Sequence, residues 1–408
     1  MSLLPVSTAL QRLLDKAAPT TATETIALHD ANGRVLATDL AAGLTQPPFD
    51  ASAMDGYALR AEDAVSIGTE LIVIGESAAG RSFAGTVGAG EAVRIFTGAP
   101  VPSGADTVLI QEDAERLNGN RIRTGFVSLK GRHIRPRGQD FAEGEVVLNA
   151  GTRLDYTTLT VAAAMNHAAV SVYRKPLVAI LATGDELVTP GAPRGPDQIV
   201  ASNTYGIATL ARDCGADILD LGIVPDDRAA ITAAIGRAIA AHADVLVTLG
   251  GASVGDHDLV QSTLIAAGME LDFWRIAMRP GKPLMVGNLG PMQVLGLPGN
   301  PVSTLVCGLL FMEPLLSALA RQPQPNRATT ALTAMALPAN DQRQDHLRAR
   351  LSRDSEGQLW VESFGKQDSS MMKIFAHSDC LIVRRPHAPE LPAGAPCPIL
   401  LLRPFRDG

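Results

Sequence analysis

The sequence predicts a multidomain protein with α/β and all-β parts: a central doubly wound parallel sheet, a β-rich insertion module and a small C-terminal β-barrel. The chain has 408 residues, which is more than one ordinary hydrophobic core accommodates. Between residues 177 and 327, strand-length apolar runs alternate with longer amphipathic segments, as in a parallel α/β sheet. On either side, short runs separated by Gly and Pro are typical of small all-β barrels or sandwiches.

These changes of pattern predict the domain organisation. Residues 1–45 and 141–176 form a discontinuous N-terminal linking domain, and residues 46–140 form a β-rich module inserted into it. Residues 177–327 form the α/β domain, and residues 328–408 form the C-terminal β-barrel domain.

The composition excludes several classes of protein. With 46% hydrophobic and 19% charged residues the chain is globular and not disordered. A net charge of −7 argues against non-specific nucleic-acid binding, but is compatible with a local basic pocket for a phosphorylated small molecule. No secretory signal is visible, the apolar runs are too short to span a bilayer, and the widely spaced cysteines favour reduced thiols. We therefore expect a cytoplasmic protein that binds neither nucleic acid nor a membrane.

The α/β domain is predicted element by element from its hydrophobic periodicity. The predicted strands are Leu177–Ala182, Asp217–Ile223, Asp244–Leu249 and Gln293–Leu297. The predicted helices are Thr204–Asp213, Ala229–Ala241, Leu259–Ala267 and Val302–Leu319.

Each predicted strand ends in a loop rich in glycine, proline or carboxylates. In an open parallel sheet such loops meet at the carboxyl ends of the strands, where ligands bind. The loop after Leu249 has small residues whose backbone N–H groups can approach an anion. The N-terminus of a following helix would contribute only about 0.3–1 kcal/mol to binding that anion. A tight turn without a ligand is the alternative interpretation of this loop by itself.

Carboxylates are concentrated in these loops, notably Asp185, Glu186, Asp226 and Asp258. Clustered carboxylates repel one another, so they require a divalent cation, paired Lys or Arg, or raised pKa values. Oxygen ligands suit Mg²⁺, which keeps several waters and bridges phosphate oxygens. The sequence therefore predicts a magnesium-assisted anion site at this edge of the sheet.

Two cations, Arg279 and Lys282, stand around a glycine turn directly before a predicted strand. Zinc is not favoured, because His257 lies in the key loop without a pattern of His and Cys ligands. The P-loop, dinucleotide and serine-hydrolase motifs do not occur in the sequence. From the residues alone we expect an anionic, phosphorylated ligand bound with Mg²⁺, and the reaction is left open.

The β-rich module also contains unusual loops. The segment Gln46–Arg60 begins with two prolines, which favour an extended backbone, and continues with acidic and apolar side chains. These side chains either belong to a functional site or pack against their own domain. Thr97 lies in a second tight turn, and Arg132–Asp140 concentrates arginines before an acidic residue. A solvated basic face and an anion contact both fit the latter segment.

Several segments appear along the chain in a characteristic order. They are PPFDASAMDGYALR, TGAPVPSGADTVLIQED, RPRGQDF, ATGDELV, SNTYGI, TLGGASVGDHD, RPGKPL and LGLPGNPVSTLV. Over essentially the whole chain they closely resemble the molybdopterin molybdenumtransferase family, which includes the E domain of gephyrin. The resemblance implies a molybdopterin-binding α/β domain that inserts molybdate into adenylylated molybdopterin, releasing AMP and yielding molybdenum cofactor, with Mg²⁺ assistance. It also implies an elongated homodimer whose active site is shared between subunits.

The resemblance implies roles for individual residues. The positions linked to catalysis are Asp55, Asp140, Glu186, Asp226, Asp258, Arg279 and Lys282, with Asp55 facing the active site of the other subunit. The positions linked to ligand binding are Thr97, Gly184, Asp185, Gly250, Gly251, Ser253, Gly255, Pro298, Gly299, Asn300 and Ser303. The implied metal ligands are Glu186, Asp226 and Asp258.

The resemblance is incomplete at one loop and leaves other functions to be weighed. Gln367–Met371 reads QDSSM where the family often has Gly-Ser-Gly, although Ser369 keeps its hydroxyl. The alternatives are adenylyl transfer to molybdopterin, which uses a similar α/β domain, and a non-catalytic scaffold like gephyrin. The extra β modules argue against the first, and the acidic loops with Lys282 argue against the second. A molybdopterin adenylyltransferase and downstream cofactor-handling proteins are the compatible partners.

Overall fold

The computed structural model describes residues 3–250 and 259–403 of the chain. Its contacts divide the chain into two compact units. The inserted unit is Thr25–Val172, and the discontinuous unit combines Met1–Glu24 with Tyr173–Gly408. The predicted domain boundaries are finer than this division and stay predictions.

The chain begins with helix α1 (Val6–Asp15) of the discontinuous unit. The elements that follow, with β1 and β12 crossing the boundary between the units, are β1 (Thr23–Ala27), β2 (Leu40–Ala41), β3 (Ala51–Ser52), β4 (Gly56–Leu59), β5 (Glu70–Ser77), β6 (Glu91–Ile95), β7 (Thr107–Ile110), β8 (Ala114–Leu117), β9 (Arg121–Thr124), β10 (Ile134–Arg135), β11 (Val146–Leu148), α2 (Tyr156–Ala164) and β12 (Ala169–Tyr173).

The largest sheet of the inserted unit has the strand order β7-β4-β6-β5-β9-β8. Strands β5 and β6 pair in parallel, and the other neighbours are antiparallel. Alternate side chains of β4 enter different clusters, since Tyr57 and Leu59 pack on one face and Ala58 on the other. Both faces of this sheet are therefore covered by apolar clusters.

The remainder of the discontinuous unit holds the α/β region. Its elements are β13 (Leu177–Thr183), β14 (Leu187–Val188), β15 (Ile199–Val200), α3 (Asn203–Asp213), β16 (Asp217–Val224), α4 (Arg228–Ala240), β17 (Val245–Leu249), α5 (Leu259–Ala266), β18 (Glu270–Arg275), β19 (Met278–Arg279), β20 (Pro283–Leu289), β21 (Met292–Leu297), α6 (Pro301–Cys307) and α7 (Glu313–Leu319).

The central sheet has the order β16-β13-β17-β21-β20-β18. Strands β16, β13, β17 and β21 are parallel neighbours, while β20 runs against both β21 and β18. The predicted strands and helices of this region are confirmed to within a residue or two, and β18 and β20 extend the sheet beyond them. The prediction of a doubly wound parallel sheet is confirmed.

Helices cover both faces of the central sheet because alternate residues of its strands are apolar. In β13, Val178 and Ile180 pack with α3, α6 and α7, whereas Ala179 and Leu181 pack with α4 and α5. Complete burial of one such Val, Leu or Ile side chain contributes roughly 1.5–3 kcal/mol. This two-sided burial explains why the strands read as continuous apolar runs.

Helices α6 and α7 form one helical run, joined by a π-helical turn at Gly308–Met312. The turn lies just before Pro314, which has no N–H to donate and clashes with the carbonyl group four residues earlier. The run Pro301–Leu319 is long and apolar enough to cross a membrane, but 78% of its 18-residue apolar stretch is buried inside the protein. The expectation that every apolar run is too short was wrong for this one, which is a core helix.

The C-terminal region forms the predicted small β-barrel. Its elements are β22 (Ala328–Thr333), β23 (Gln344–Arg353), β24 (Leu359–Ser363), α8 (Met372–Ala376), β25 (Cys380–Arg384) and β26 (Pro396–Leu401). The strand order β23-β24-β22-β26-β25 closes through pairing of β25 with β23. Strand β19 of the α/β region pairs in parallel with β23, so the barrel is joined to the neighbouring fold by backbone hydrogen bonds.

Helix α2 of the inserted unit begins with a capping box. The Asp155 carboxylate accepts hydrogen bonds from the backbone N–H groups of Thr157 and Thr158, both at 3.0 Å, and the Thr158 hydroxyl accepts from the Asp155 N–H at 2.7 Å. The hydroxyl of Thr157 is the largest influence on the carboxylate, followed by the backbone donors, and together they lower the pKa of Asp155 to about 2.

We predict that Asp155→Asn lowers Tm at pH 7, because the capping donors favour the ionised carboxylate. A folded-state pKa below the unfolded value stabilises the protein above about pH 4, and this stabilisation is lost as the pH falls toward the folded value. Calorimetry from pH 7 to pH 2 should therefore show the two proteins converging at low pH. Glu143→Gln, at an exposed carboxylate of the same unit, is the control. A constant difference at every pH would contradict this account of the cap.

Candidate functional site

A cleft of about 720 Å³ opens at the carboxyl ends of the parallel strands. Strand β13 has β16 as its neighbour on one side and β17 on the other, so the chain after β13 continues first to one side and later to the opposite side. Such a reversal of strand order creates a crevice beyond the strand ends, where ligands bind in open α/β sheets. The predicted site residues that line the cleft are Gly184, Glu186, Asp226, Gly250, Pro298, Gly299, Asn300 and Ser303.

Three carboxylates form an acidic rim at this cleft: Asp185, Glu186 and Asp226. The Asp226 backbone N–H donates to Oδ1 of Asp185 at 3.2 Å, which connects the loops after β13 and β16. Partial burial and the negative charges of Asp185 and Glu186 raise the pKa of Asp226. The predicted repulsion among clustered carboxylates is therefore present, and a cation bound here would relieve it.

Two glycines shape the cleft by lacking side chains. A Cβ at Gly184 (φ +149°) would lie 2.5 Å from a carboxylate oxygen of Glu186, so this glycine lets Glu186 fold over the turn. A Cβ at Gly250 (φ +93°) would lie 3.0 Å from the Thr183 carbonyl oxygen. Both positions combine a close approach with a backbone conformation that favours glycine.

The loop before α6 is held from two sides. The Asn203 side-chain amide donates to the Gly299 carbonyl at 2.7 Å. From the barrel region, the Ser369 hydroxyl accepts from the Asn300 amide at 2.9 Å, and the Ser369 carbonyl accepts from the Val302 N–H at 3.0 Å. The QDSSM segment thus contacts the cleft rim despite its departure from the family pattern. Asn203 lies in the quoted SNTYGI segment, but no local pattern in the sequence indicates its role in holding this loop.

The predicted basic pair is divided between different surroundings. Arg279 does not line the cleft, and its Nε donates to Asp345 at 2.8 Å while Nη1 lies 3.3 Å from Asp341. Lys282 is exposed, and its neighbour Pro283 lines the cleft. Neither cation lines the cleft itself: Arg279 is paired with carboxylates of the barrel region, whereas the exposed Lys282 adjoins the lining residue Pro283.

The turn between these cations depends on glycine. Gly281 has φ +104°, and a Cβ there would lie 2.5 Å from the Cys307 sulfur. Burial raises the pKa of the Cys307 thiol well above its usual range, so this sulfur fills space and is not a nucleophile.

In the inserted unit, Asp55 and Thr97 are in direct contact. The Thr97 backbone N–H and hydroxyl both donate to Oδ1 of Asp55 at 2.8 Å. The backbone donor, then the hydroxyl, and more weakly the charge of Arg94 lower the pKa of Asp55. The structure therefore joins two predicted site residues that are far apart in sequence and favours an ionised carboxylate.

The third predicted residue of the inserted unit, Asp140, belongs to a neighbouring network. Its backbone N–H donates to the Gln46 carbonyl at 3.0 Å, and the Arg137 N–H donates to the Asp50 carboxylate at 2.8 Å. Strand β10 pairs with β3, so the RPRGQD segment lies along the proline-rich loop. The two loops are therefore one structural feature of the inserted unit.

Some predicted site residues fall outside the part that the structure describes. These are Gly251, Ser253, Gly255 and Asp258. Within residues 3–250 and 259–403, no group of three or more His, Cys, Asp or Glu side chains is arranged to hold a metal ion. The implied metal set of Glu186, Asp226 and Asp258 therefore stays a prediction.

Family models match three consecutive parts of the chain. Residues 4–166 match the model described as the MoeA N-terminal region, domains I and II. Residues 179–318 match a model described as a probable molybdopterin binding domain. Residues 330–402 match the MoeA C-terminal region, domain IV.

Relatives from other organisms are similar in sequence or structure to most of this chain. The molybdopterin molybdenumtransferase of Haemophilus influenzae is 35% identical over 394 residues, covering 96% of this chain and 97% of that protein. The Nostoc enzyme of the same name is 42% identical over 304 residues, covering 73% of this chain and 69% of that protein. A crystal structure of a Pyrococcus horikoshii molybdopterin biosynthesis moeA protein has a TM-score of 0.83 at 30% identity, covering 99% of this chain and 100% of that one.

We predict that Glu186→Gln lowers the pKa of Asp226, because it removes one of the two negative charges that oppose ionisation. Carbon-detected NMR titration of the aspartate carboxyl groups measures this shift directly. Glu362→Gln, on strand β24, is the control and should leave the Asp226 titration unchanged. An Asp226 pKa that is the same in Glu186→Gln and the wild type would show that the rim is not electrostatically coupled.

Proposed function

The chain belongs to the molybdopterin molybdenumtransferase family, and we propose that it inserts molybdenum from molybdate into adenylylated molybdopterin with release of AMP. As a member of this family it is a transferase of molybdenum cofactor biosynthesis. The observation that carries the proposal is the cleft at the carboxyl ends of β13 and β17, where the acidic rim meets the glycine-shaped loops.

The size of the cleft supports a ligand of this class. Its volume of about 720 Å³ lies within the range of about 300–1,000 Å³ found for small-molecule sites. Apolar wall residues such as Leu187 and Leu249 suit flat heterocycles, while Glu186 and Asp226 supply the polar rim. The cleft therefore offers both kinds of surface that a nucleotide-linked pterin needs.

In the proposed reaction, water cleaves the P–O–P bond of adenylylated molybdopterin and AMP departs. The two dithiolene thiols replace one oxo ligand of molybdate, and the two thiol protons leave with that oxygen as one water molecule. Molybdenum keeps its oxidation state, so no redox partner is required. The chain's task is then to bind, orient and balance charge, as in other phosphoryl-group reactions, without a covalent protein intermediate.

The acidic rim fits a magnesium ion. Mg²⁺ is commonly held by one or two carboxylates together with substrate phosphates and water, so it does not need a three-residue protein site. Partial burial first, and then the charges of Asp185 and Glu186, raise the pKa of Asp226, and such an ion would offset those charges. Glu186 and Asp226 are the residues we expect to hold it, and its chemical contribution is to neutralise charge on the phosphate oxygens.

Positive charge beside the cleft comes from Lys282. Its neighbour Pro283 lines the cleft, so the ammonium group is well placed to attract molybdate or phosphate. Arg279 is instead engaged with Asp345 and Asp341, so we propose that it fixes the turn and the barrel contact as well as contributing charge.

We predict that Glu186→Gln, Asp226→Asn and Lys282→Ala each reduce AMP release about 10²-fold, the usual cost of losing one electrostatic contact in a reaction of developing charge. The assay supplies adenylylated molybdopterin and molybdate and measures AMP by chromatography. Removing Mg²⁺ with EDTA should abolish turnover, and adding it back should restore it. Lys130→Ala, at a lysine of the inserted unit that is 82% exposed, is the charge-matched control.

A wild-type protein that releases no AMP under these conditions would contradict the proposal. A second assay with MgATP and molybdopterin tests the alternative of adenylyl transfer. Adenylylated molybdopterin formed there, with no molybdate-dependent AMP release, would favour the alternative.

We further propose that the protein acts as a homodimer in which Asp55 of one subunit completes the cleft of the other. The support is that Asp55, Thr97 and Asp140 belong to the inserted unit, whereas the cleft belongs to the discontinuous unit. The low pKa of Asp55 gives it the charge needed to act beside a cation or a phosphate-bound water.

We predict that Asp55→Asn and Glu186→Gln, each of which has strongly reduced activity alone, complement each other when mixed. If the site is shared, a mixed dimer has one intact site, and random pairing restores roughly a quarter of wild-type activity. Subunits are exchanged in mild denaturant and AMP release is then measured. Mixing Asp226→Asn with Glu186→Gln is the control, since both changes lie in the same cleft and leave every site damaged. Absence of recovery in the first mixture, with subunit exchange verified, would place the whole site within one subunit.

A cytoplasmic location and contact with a molybdopterin adenylyltransferase also belong to this proposal. Adenylylated molybdopterin has to be supplied by an adenylyl-transfer reaction, and the molybdenum cofactor has to be passed on to proteins that store or insert it.

A further inference from the structure

The wall of the cleft contains a buried hydroxyl group that is not hydrogen bonded within the described protein. Thr183, the last residue of β13, lines the cleft and is 5% exposed. Its Oγ1 has no hydrogen-bond partner among residues 3–250 and 259–403. A buried hydroxyl without a partner destabilises the folded protein, so its retention at a cleft needs an explanation.

A second threonine on the next strand provides a comparison. Thr248 of β17 is fully buried, its Oγ1 likewise has no partner in the described part of the chain, and it does not line the cleft. In β13 and β17, Leu181 and Leu246 belong to the cluster formed with α4 and α5. Alternate residues of a strand share a face, so both threonines lie on that face. They differ in their access to the cleft.

The approach to the Thr183 hydroxyl is kept open by Gly250. A Cβ at position 250 would lie 3.6 Å from the Thr183 Oγ1, so a ligand atom occupying that space would be within reach of the hydroxyl. The open space beside Gly250 therefore adjoins the Thr183 hydroxyl, which has no hydrogen-bond partner among the described residues.

We propose that the Thr183 hydroxyl binds the hydrogen-bonding edge of the ligand's heterocycle, an amide or amino group of the pterin or the adenine. This inference deepens the proposed function and rests on it. The apolar residues Ala182 and Leu249 line the same cleft from the other face of the sheet, so the cleft also offers a wall that suits a flat ring. The phosphates are expected at the acidic rim instead, with the magnesium ion that Glu186 and Asp226 would hold.

The test compares Thr183→Val with Thr248→Val. Valine is nearly the same shape as threonine and lacks the hydroxyl, so each change removes one unsatisfied group. Neither variant should lower the Tm of the free protein, since a buried polar group without a partner is replaced by an apolar one. Binding of AMP and of 6-hydroxymethylpterin is measured by calorimetry with the wild type, both valine variants and Thr183→Ser.

Thr183→Val should weaken binding of one probe roughly three- to tenfold, the usual effect of one neutral hydrogen bond, while Thr248→Val binds both probes like the wild type. Thr183→Ser keeps the hydroxyl and should bind like the wild type. Loss confined to AMP identifies the adenine as the partner, and loss confined to the pterin identifies the pterin.

If Thr183→Val binds each probe as tightly as the wild type does, the inference is overturned and the proposed function is unaffected. Equal losses in the two valine variants, or a fall in Tm that accompanies the loss for Thr183→Val, would also overturn it, because the hydroxyl would then have a structural role. A wild type that binds neither probe and releases no AMP would overturn both.

Discussion

Parallel strands of one sheet end at the same edge, and the cleft of this protein depends on that constraint. Strands β13, β16, β17 and β21 come from distant parts of the sequence, yet pairing them in parallel brings their following loops together. Because β16 and β17 lie on opposite sides of β13, the loops that follow β13 and β17 diverge and leave a crevice between them. Burial of alternate apolar residues on both faces holds the edge rigid, so the loops can carry charge and glycine without contributing to the core.

The barrel region takes part in the same site by holding two of its loops. Strand β19 pairs with β23, and Arg279 binds Asp345, which anchors the turn that carries Lys282. Asn300 and Ser369 connect the loop before α6 to the QDSSM segment. Because both contacts join the barrel to loops of the α/β region, a change in the barrel is expected to act on the cleft through geometry.

The carboxylates of the two units have opposite electrostatic surroundings. Asp55 accepts two hydrogen bonds from Thr97, which stabilise its charge and lower its pKa. Asp226 is partly buried beside Asp185 and Glu186, which destabilises its charge and raises its pKa. A bound cation would therefore relieve unfavourable charge at Asp226, whereas the charge of Asp55 is already stabilised by its hydrogen bonds. This difference supports magnesium binding at the acidic rim and an orienting role for Asp55 in the proposed reaction.

Local pattern in the sequence determined the sheet, its helices and the barrel, because hydrophobic periodicity reports which face of each element is buried. It also identified the loops at the strand ends, and the order of the motifs identified the family. Only the tertiary structure decided that Arg279 is paired with Asp345, that Asn203 supports the rim and that the Thr183 hydroxyl is buried without a partner in the described chain. These facts depend on contacts between residues far apart in sequence, which no local pattern encodes.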